Sequence, residues 1–417
     1  MNKSPLEPDG RILEENSSTY AKDHKTAAGV ATPARFPTVE EMVYEMQPDI
    51  PVHCLRPHTI AAMAKRFMRS FPGDTMFAVK TNPNPLVLRY LAAAGMQNFD
   101  VASLPEVKLV AENAPGAHMY FMHPVKSRQA IRAAYYEYGV RDFSLDSIDE
   151  LQKILDETDN ADDLSLFVRL IVSNDDARYA LSGKFGIALD QAAPLLHATR
   201  KAAHRLGVCF HVGSQCMNPQ AYSNAITKVA ELLRVENIAL EMLDVGGGFP
   251  SIYPGITPKP LAYYMRAIKK ALAANEDQFG QCQLLAEPGR ALVAEGGSLV
   301  VRVELRKGNA LYINDGTYGS LFDAGTPAFT YPVKAIRANG KLAKEEAAFS
   351  FFGPTCDSVD AMNGPFHLPK DIKEGDWIEI GQLGSYGAAM RTDFNGFGES
   401  KTLEVADKPL LSRANIN

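Results

Sequence analysis

Residues able to do chemistry recur in this chain at one kind of place, the end of a short apolar run. Lys80 closes the run Met76-Phe77-Ala78-Val79, and Asp100 closes Asn98-Phe99. Arg169 lies near the end of Leu164–Val172, and His211 follows Val208-Cys209-Phe210. Asp244 and the glycines Gly246, Gly247 and Gly248 end the run that starts at Leu240, while Glu287 and Arg290 follow Leu284-Leu285-Ala286. An amine emerging from apolar surroundings loses hydration, which lowers its pKa and favours the free base that attacks a carbonyl. Consecutive glycines let backbone N–H groups approach an anion, and Arg290, Ser214 and Tyr386 can add charge and hydroxyl donors. A carboxylate such as Glu287 can hold a protonated ring nitrogen, and His211 can stack on a planar ring. Each residue alone has a plainer reading: a solvated lysine, a glycine turn, a rim salt bridge between Glu287 and Arg290, a packed histidine.

A second cluster follows more than sixty residues after Arg290. In Gly353-Pro354-Thr355-Cys356-Asp357-Ser358-Val359-Asp360, glycine and proline set a turn that presents a thiol beside a carboxylate. Such a thiol can deliver a proton, and such a carboxylate can bind an ammonium group. GPTCD alone is equally compatible with a structural turn. Asp315 and Tyr318 in YINDGTYGS, Asp323 in SLFDAG and the pair Phe394-Asn395 add polar and aromatic groups to this half of the chain.

The elements that must position these residues alternate in type. Strands are expected over Met76–Lys80, Asn98–Ala102, His118–Met122, Phe143–Asp146, Leu164–Val172, Val208–Val212, Leu240–Val245 and Leu284–Glu287. Helical patterns separate them. Asn84-Pro85 is a cap and first-turn proline with Gly95 as the stop, Ser103-Leu-Pro-Glu106 and Ser147-Ile-Asp-Glu150 read as capping boxes, and a helix over Asp190–Leu206 ends at Gly207. Eight strand-then-helix units over roughly 230 residues match an α/β fold, the (β/α)8 TIM-type barrel, with a doubly wound open sheet as the alternative. In a barrel the functional groups gather at the C-terminal ends of the strands, where the residues above fall. After Arg290 the pattern changes to strands joined by turns, at Ser298–Leu305, Ala310–Asn314, Ala347–Phe352 and Trp377–Ile380, so a mostly-β C-terminal domain is expected. Val52–Leu55 can join it as an added strand. The expected organisation is a flexible extension over 1–35, a joining segment over 36–57, the barrel over 58–293 and the β domain over 294–417.

Bulk properties narrow the function. A composition 46% hydrophobic and 22% charged is that of a soluble globular protein. No apolar run approaches the ~20 residues needed to cross a bilayer, and the polar start MNKSPLEPDG has no signal-peptide core, so a cytoplasmic protein without a membrane partner is expected. A net charge of −6 gives no reason to expect nucleic acid. Five scattered cysteines, with no metal-ligand spacing to any histidine, point to free thiols in a reducing compartment and to no metal. The absence of GxGxxG and GxxxxGK[ST] patterns disfavours nucleotides.

Taken in order, AVKTN around Lys80, FHVGSQ around His211, DVGGGFP, AEPGR, INDGTYGS, GPTCDSVD and SYGAAMRTDFNGFG resemble the group IV, alanine-racemase-like (fold type III) pyridoxal-phosphate decarboxylases, and among them the ornithine decarboxylase branch. The resemblance runs from about residue 50 to residue 398. It implies pyridoxal 5'-phosphate as cofactor, a basic L-amino acid as substrate and a homodimer whose partner subunit completes each site. It makes Lys80 the lysine that bonds to the cofactor, with Asp100 beside it and Arg169 orienting the site. His211 would stack on the ring and Glu287 contact its nitrogen, while Ser214, Gly247, Gly248, Arg290 and Tyr386 would hold the phosphate. Cys356 would protonate the carbon that loses carbon dioxide, and Asp357 would bind the distal amine, with Tyr318 and Phe394 nearby. Diaminopimelate decarboxylases carry Cys-Glu where this chain has Cys356-Asp357, which favours a plain amine. One departure stands out: a second substrate-binding aspartate is expected after YGS, where Phe329 stands, and Asp323, several residues earlier, would take its place at the substrate from a shifted loop. Ornithine is the first expectation, with lysine, arginine and diaminopimelate as alternatives. A racemase would need a tyrosine base in place of GPTCD, and a non-catalytic regulatory relative could dispense with Lys80, Arg290 or Cys356.

Overall fold

A computed structural model describes residues 33–172, 177–179, 183–325 and 327–412. Most of the expected N-terminal extension therefore lies outside the described residues, but its last residue, Arg35, forms a two-residue strand with Phe36 that pairs with Lys401–Val405.

Eight parallel strands form a closed ring: β1 (Asp74–Ala78), β2 (Asn98–Val101), β3 (His118–Phe121), β4 (Asp142–Leu145), β5 (Ser165–Ile171), β6 (Arg205–Phe210), β7 (Met242–Asp244) and β8 (Gln283–Ala286). Closure comes from β8 pairing with β1, Leu285 opposite Asp74, and this excludes the open sheet. The strands are short, apolar and rich in Val, Phe and Leu because both faces are covered. Alternation sorts them: Phe77, Phe99, Phe121, Val168, Val208 and Leu243 pack outward against the helices, while Met76, Tyr120, Phe167, Cys209, Met242 and Leu285 form a separate interior cluster. The next inward position along each strand is two residues on. It brings Asp100, Arg169, His211, Asp244 and Glu287 to the same end of the barrel. Period two thus converts an apolar plug into a polar mouth.

Local signals explain most helix starts. Asn84 accepts the Leu86 N–H at 2.9 Å with Pro85 at the first turn. Ser103 and Ser147 accept the N–H groups of Glu106 and Glu150. Neither capping box closes, because both carboxylates are drawn elsewhere: Glu106 accepts the Ala102 N–H at 2.7 Å, and Glu150 accepts the Lys126 N–H and pairs with its ammonium at 2.9 Å. The expected helix Asp190–Leu206 is shorter, Ala192–Ala202, because Arg205 and Leu206 already pair with Ser165 and Leu166 in β5. Lys80 is likewise beyond β1, in a 3-10 turn over Val79–Thr81.

The C-terminal half is a β sheet built on the long strand Gly297–Lys307, which pairs with Ala310–Ile313, Trp377–Ile380 and Val52–Leu55. Val52–Leu55 also lies parallel to Lys401–Val405. Buried Arg56, just before the helix Pro57–Ser70, is held to this sheet, donating to Ser298 at 2.9 Å and pairing with Glu379 and Asp407 at 2.8 Å. Among the described residues no helix is long and apolar enough to cross a membrane, and no group of three His, Cys, Asp or Glu side chains is placed to hold a metal ion.

Candidate active site

At the barrel mouth the Lys80 amine lies 3.0 Å from the Asp100 carboxylate, with its side chain 44% exposed and Asp100 buried. Stripping of water opposes its charge, but the carboxylates of Asp100 and Glu287 outweigh that effect and hold its pKa above the ordinary lysine range. The sequence-based expectation of a lowered pKa is therefore corrected. Apolar neighbours along the strand do not decide the charge; carboxylates from β2 and β8 do.

His211 is the opposite case. Burial, then the charges of Arg169 and Lys80, lower its pKa to about 3, so the imidazole is neutral. Its Nδ1 accepts the Gly213 N–H at 2.9 Å, which assigns the remaining proton to Nε2. Gly247 runs beside that ring, since a Cβ there would lie 3.0 Å from Nε2 and 2.7 Å from the Glu287 carbonyl. Burial, then the charge of Asp100, raises the pKa of Glu287, and burial, then the neighbouring Glu287, raises that of Asp244. The two buried carboxyl groups titrate as a pair.

Gly248 adopts φ +94°, and a Cβ on it would run into the Gly213 carbonyl, so only glycine brings this backbone against Gly213. Gly248→Ala is expected to weaken cofactor binding by about tenfold or more, the equivalent of 1–3 kcal/mol of backbone strain. A titration of the cofactor-free chain checks this, and an unchanged affinity would remove the loop from the site.

Arg290 is buried with its guanidinium donating to Tyr253 Oη at 2.6 Å and to Asp323 at 3.2 Å. It lies 5.6, 5.4 and 5.0 Å from the ring centroids of Tyr253, Phe329 and Tyr386. Tyr386, at φ +60°, donates its backbone N–H to Thr81, and Asn82 donates to Gly384, so the β-domain segment 384–386 is fastened onto the Lys80 turn. Ser214 is half-buried at the start of the strand Ser214–Cys216, and Arg169 is half-buried on β5 with its guanidinium 5.9 Å from the Phe185 ring.

The Cys356 loop forms a second group. Asp360 accepts from Thr317 N–H and Oγ1 through one oxygen and from Thr355 N–H and Oγ1 through the other, tying this loop to the YGS turn. Across that tie Tyr318 donates to Asp357 at 2.6 Å and packs its ring 4.8 Å from Phe394, while Asn395 accepts the Cys356 N–H. Cys356 is exposed. The Tyr318 hydroxyl, then the Val359 N–H, lower the Asp357 pKa, so it stays an anion. Among the described residues the two groups share no hydrogen bond or ion pair within one chain. Asp323, expected at the substrate, is ion-paired with Arg290, and Phe329 is buried against Tyr253.

Sequence reasoning missed Glu106, which it took only as a cap. Burial, with Asp100 adding to it, pushes its pKa up to about 6 beside Lys80. It also missed Tyr253, which nothing but the fold brings to Arg290.

The pyridoxal-binding domain of the pyridoxal-dependent decarboxylases matches residues 58–294. A lysine/ornithine decarboxylase of Selenomonas ruminantium is 33% identical over 369 residues, covering 85% of this chain and 90% of that one. An ornithine decarboxylase of Panagrellus redivivus is 31% identical over 398 residues, covering 87% of each. The crystal structure of a lysine/ornithine decarboxylase from Vibrio vulnificus complexed with putrescine matches with TM-score 0.74 at 32% identity, covering 88% of this chain and 96% of that one. A barrel with an amine, a glycine loop and buried carboxylates at its mouth defines a cofactor-dependent enzyme; the chain belongs to the pyridoxal-dependent decarboxylases, in the alanine-racemase-like group that includes the ornithine decarboxylases. It is a carboxy-lyase that uses pyridoxal 5'-phosphate. The residues present fit that group. Gly247 and Gly248 bring bare backbone to the mouth at points where a Cβ would collide with the Glu287 and Gly213 carbonyls, and the Arg290 Nε is buried without a hydrogen-bond partner among the described residues.

Proposed function

We propose that this chain decarboxylates a basic L-amino acid, L-ornithine first, giving putrescine for polyamine biosynthesis, as a cytoplasmic homodimer. The observation that carries the reading is the pair of groups just described: an amine among carboxylates at the barrel mouth, and a thiol with a carboxylate on an exposed loop. When bound, pyridoxal phosphate supplies a conjugated ring that accepts the electron pair left by the departing carboxyl group. Lys80 would hold its aldehyde, with Asp100 balancing the amine and Arg169 orienting the site. Ser214, Gly247, Gly248, Arg290 and Tyr386 would hold its phosphate, His211 would stack on the ring, and Glu287 would face the ring nitrogen. Cys356 then gives its proton to the substrate's α-carbon, and Asp357, kept ionised and oriented by Tyr318, receives the distal ammonium.

The exposed state of the Cys356 loop supports a second copy as its partner. Val359, Phe394 and Phe397 are 63%, 40% and 46% exposed around it, an apolar rim that a partner's barrel mouth would cover. Free cysteines in every described position agree with a reducing, cytoplasmic setting. Retention of Lys80, Arg290 and Cys356 favours an enzyme over a binding-only relative, and the loop argues against a racemase.

The test is carbon dioxide release from ornithine, lysine, arginine and diaminopimelate. Ornithine is expected to give the highest kcat/KM with lysine second, and preference for diaminopimelate would overturn the reading. Mixing Lys80→Ala with Cys356→Ala is expected to give diamine formation well above the sum of the two variants alone; no such gain would exclude shared sites.

A further inference from the structure

The loop after YGS carries Asp323 and Phe329, and both are turned toward Arg290. Asp323 lies in the 3-10 turn Phe322–Ala324, its side chain 13% exposed, with its carboxylate 3.2 Å from Nη2 of Arg290. Its backbone carbonyl accepts the Phe329 N–H at 2.8 Å, which folds the loop back on itself. That bond seats the Phe329 ring 5.4 Å from the guanidinium and 4.8 Å from the Tyr253 ring. Tyr253 takes Nη1 at 2.6 Å. The arginine is thus gripped at two nitrogens and walled by three rings, while its Nε is buried without a hydrogen-bond partner among the described residues.

We propose that Asp323 is a positioning residue for the cofactor's phosphate rather than a substrate-binding carboxylate: with Tyr253 it fixes the orientation in which Arg290 meets a phosphate dianion. This rests on the reading of Arg290 as a phosphate-holding residue. A free arginine side chain carries rotamer entropy that binding must otherwise remove. Two hydrogen bonds and three ring faces remove it in advance, as preorganised sites do. The opposing effect is repulsion between the Asp323 carboxylate and the incoming phosphate. The carboxylate faces Nη2, so it does not occupy the Nε edge.

The experiment compares pyridoxal phosphate with pyridoxal, which lacks the phosphate, as ligands of the full chain freed of cofactor. Asp323→Asn keeps the shape and removes the charge. Expected is a loss of at least about tenfold in affinity for pyridoxal phosphate, the size of a charge-assisted hydrogen bond, with pyridoxal affinity and the substrate KM unchanged. Asp323→Glu should recover part of the loss. Equal weakening toward both ligands, tighter binding of the phosphate form, or a raised KM with unaltered cofactor affinity would each overturn the proposal. Arg290→Lys separates the two readings. If it weakens the phosphate form selectively while Asp323→Asn does not, the role of Asp323 fails and that of Arg290 stands; if it does not, both fail.

Discussion

Lys80→Ala is expected to abolish covalent attachment of the cofactor and to lower kcat/KM by more than about a thousandfold, since the tethered amine that organises the site is gone. Borohydride reduction followed by peptide mass spectrometry checks the first part: wild type should carry the reduced cofactor on the peptide containing residue 80, and the variant should carry none. A reduced adduct on another lysine would overturn the assignment. Lys80→Arg separates bonding from charge. It keeps a cation beside Asp100 and Glu287 but cannot form the bond, so both variants lose attachment, while the alanine variant alone leaves the buried Asp100 carboxylate without its partner. The pKa direction adds a pH dependence. Because Asp100 and Glu287 outweigh desolvation and raise the Lys80 pKa, the amine is protonated throughout the neutral range, and the attacking free base grows tenfold with each pH unit. Attachment of pyridoxal phosphate to the cofactor-free chain should therefore accelerate as pH rises through neutrality without reaching a plateau. The same sign governs stability: the contribution of the Lys80–Asp100 pair is fully present below the ordinary lysine pKa and is lost only as pH rises through the higher folded value.

Much of this arrangement is legible in the chain because a barrel strand repeats every two residues. Phe167 to Arg169, Cys209 to His211, Met242 to Asp244 and Leu285 to Glu287 each step from the apolar interior to the mouth, so short local patterns carry the placement. The glycine run and GPTCD are equally local. What escapes the sequence depends on segments that meet only after folding. The charge of Lys80 is decided by carboxylates 20 and 207 positions away in the chain, which reverses what its apolar strand alone implies. The enclosure of Arg290 draws Tyr253, the Asp323–Phe329 loop and Tyr386 from three separate stretches. In the β domain, Val333–Ile336, Ala361–Pro369 and Lys401–Val405 pass unnoticed as strands. The second holds Gly364 and Pro365, ordinarily turn residues, and the third is five residues long with two charges; both are strands because neighbouring strands pair with them. Glu106 matches a capping pattern and is turned to Ala102 and the Lys80–Asp100 pair instead.

Cys356→Ala is expected to separate binding from proton delivery. In one chain its loop shares no hydrogen bond with the Lys80 group among the described residues, and Asp360 fastens it through four hydrogen bonds that do not involve the thiol. The substitution should therefore leave the fold, the Asp357–Tyr318 contact and cofactor affinity unchanged. What it removes is the acid that reaches the α-carbon. General-acid catalysis of this kind is worth about 10²–10⁴-fold, so kcat should fall in that range with KM for the amino acid little altered, because Asp357 still meets the distal ammonium. The product should change as well. Without a positioned donor the α-carbon would miss its proton in a share of turnovers, so the yield of diamine for each carbon dioxide released should fall. Chromatography of the products against carbon dioxide released measures that share directly. Cys356→Ser, with a hydroxyl of similar size and much weaker acidity, should resemble the alanine variant if proton donation is the role, and the wild type if the side chain only fills space. An alanine variant that yields diamine alone, at the wild-type rate, would remove Cys356 from the chemistry and leave the exposed loop as a docking surface for the second subunit.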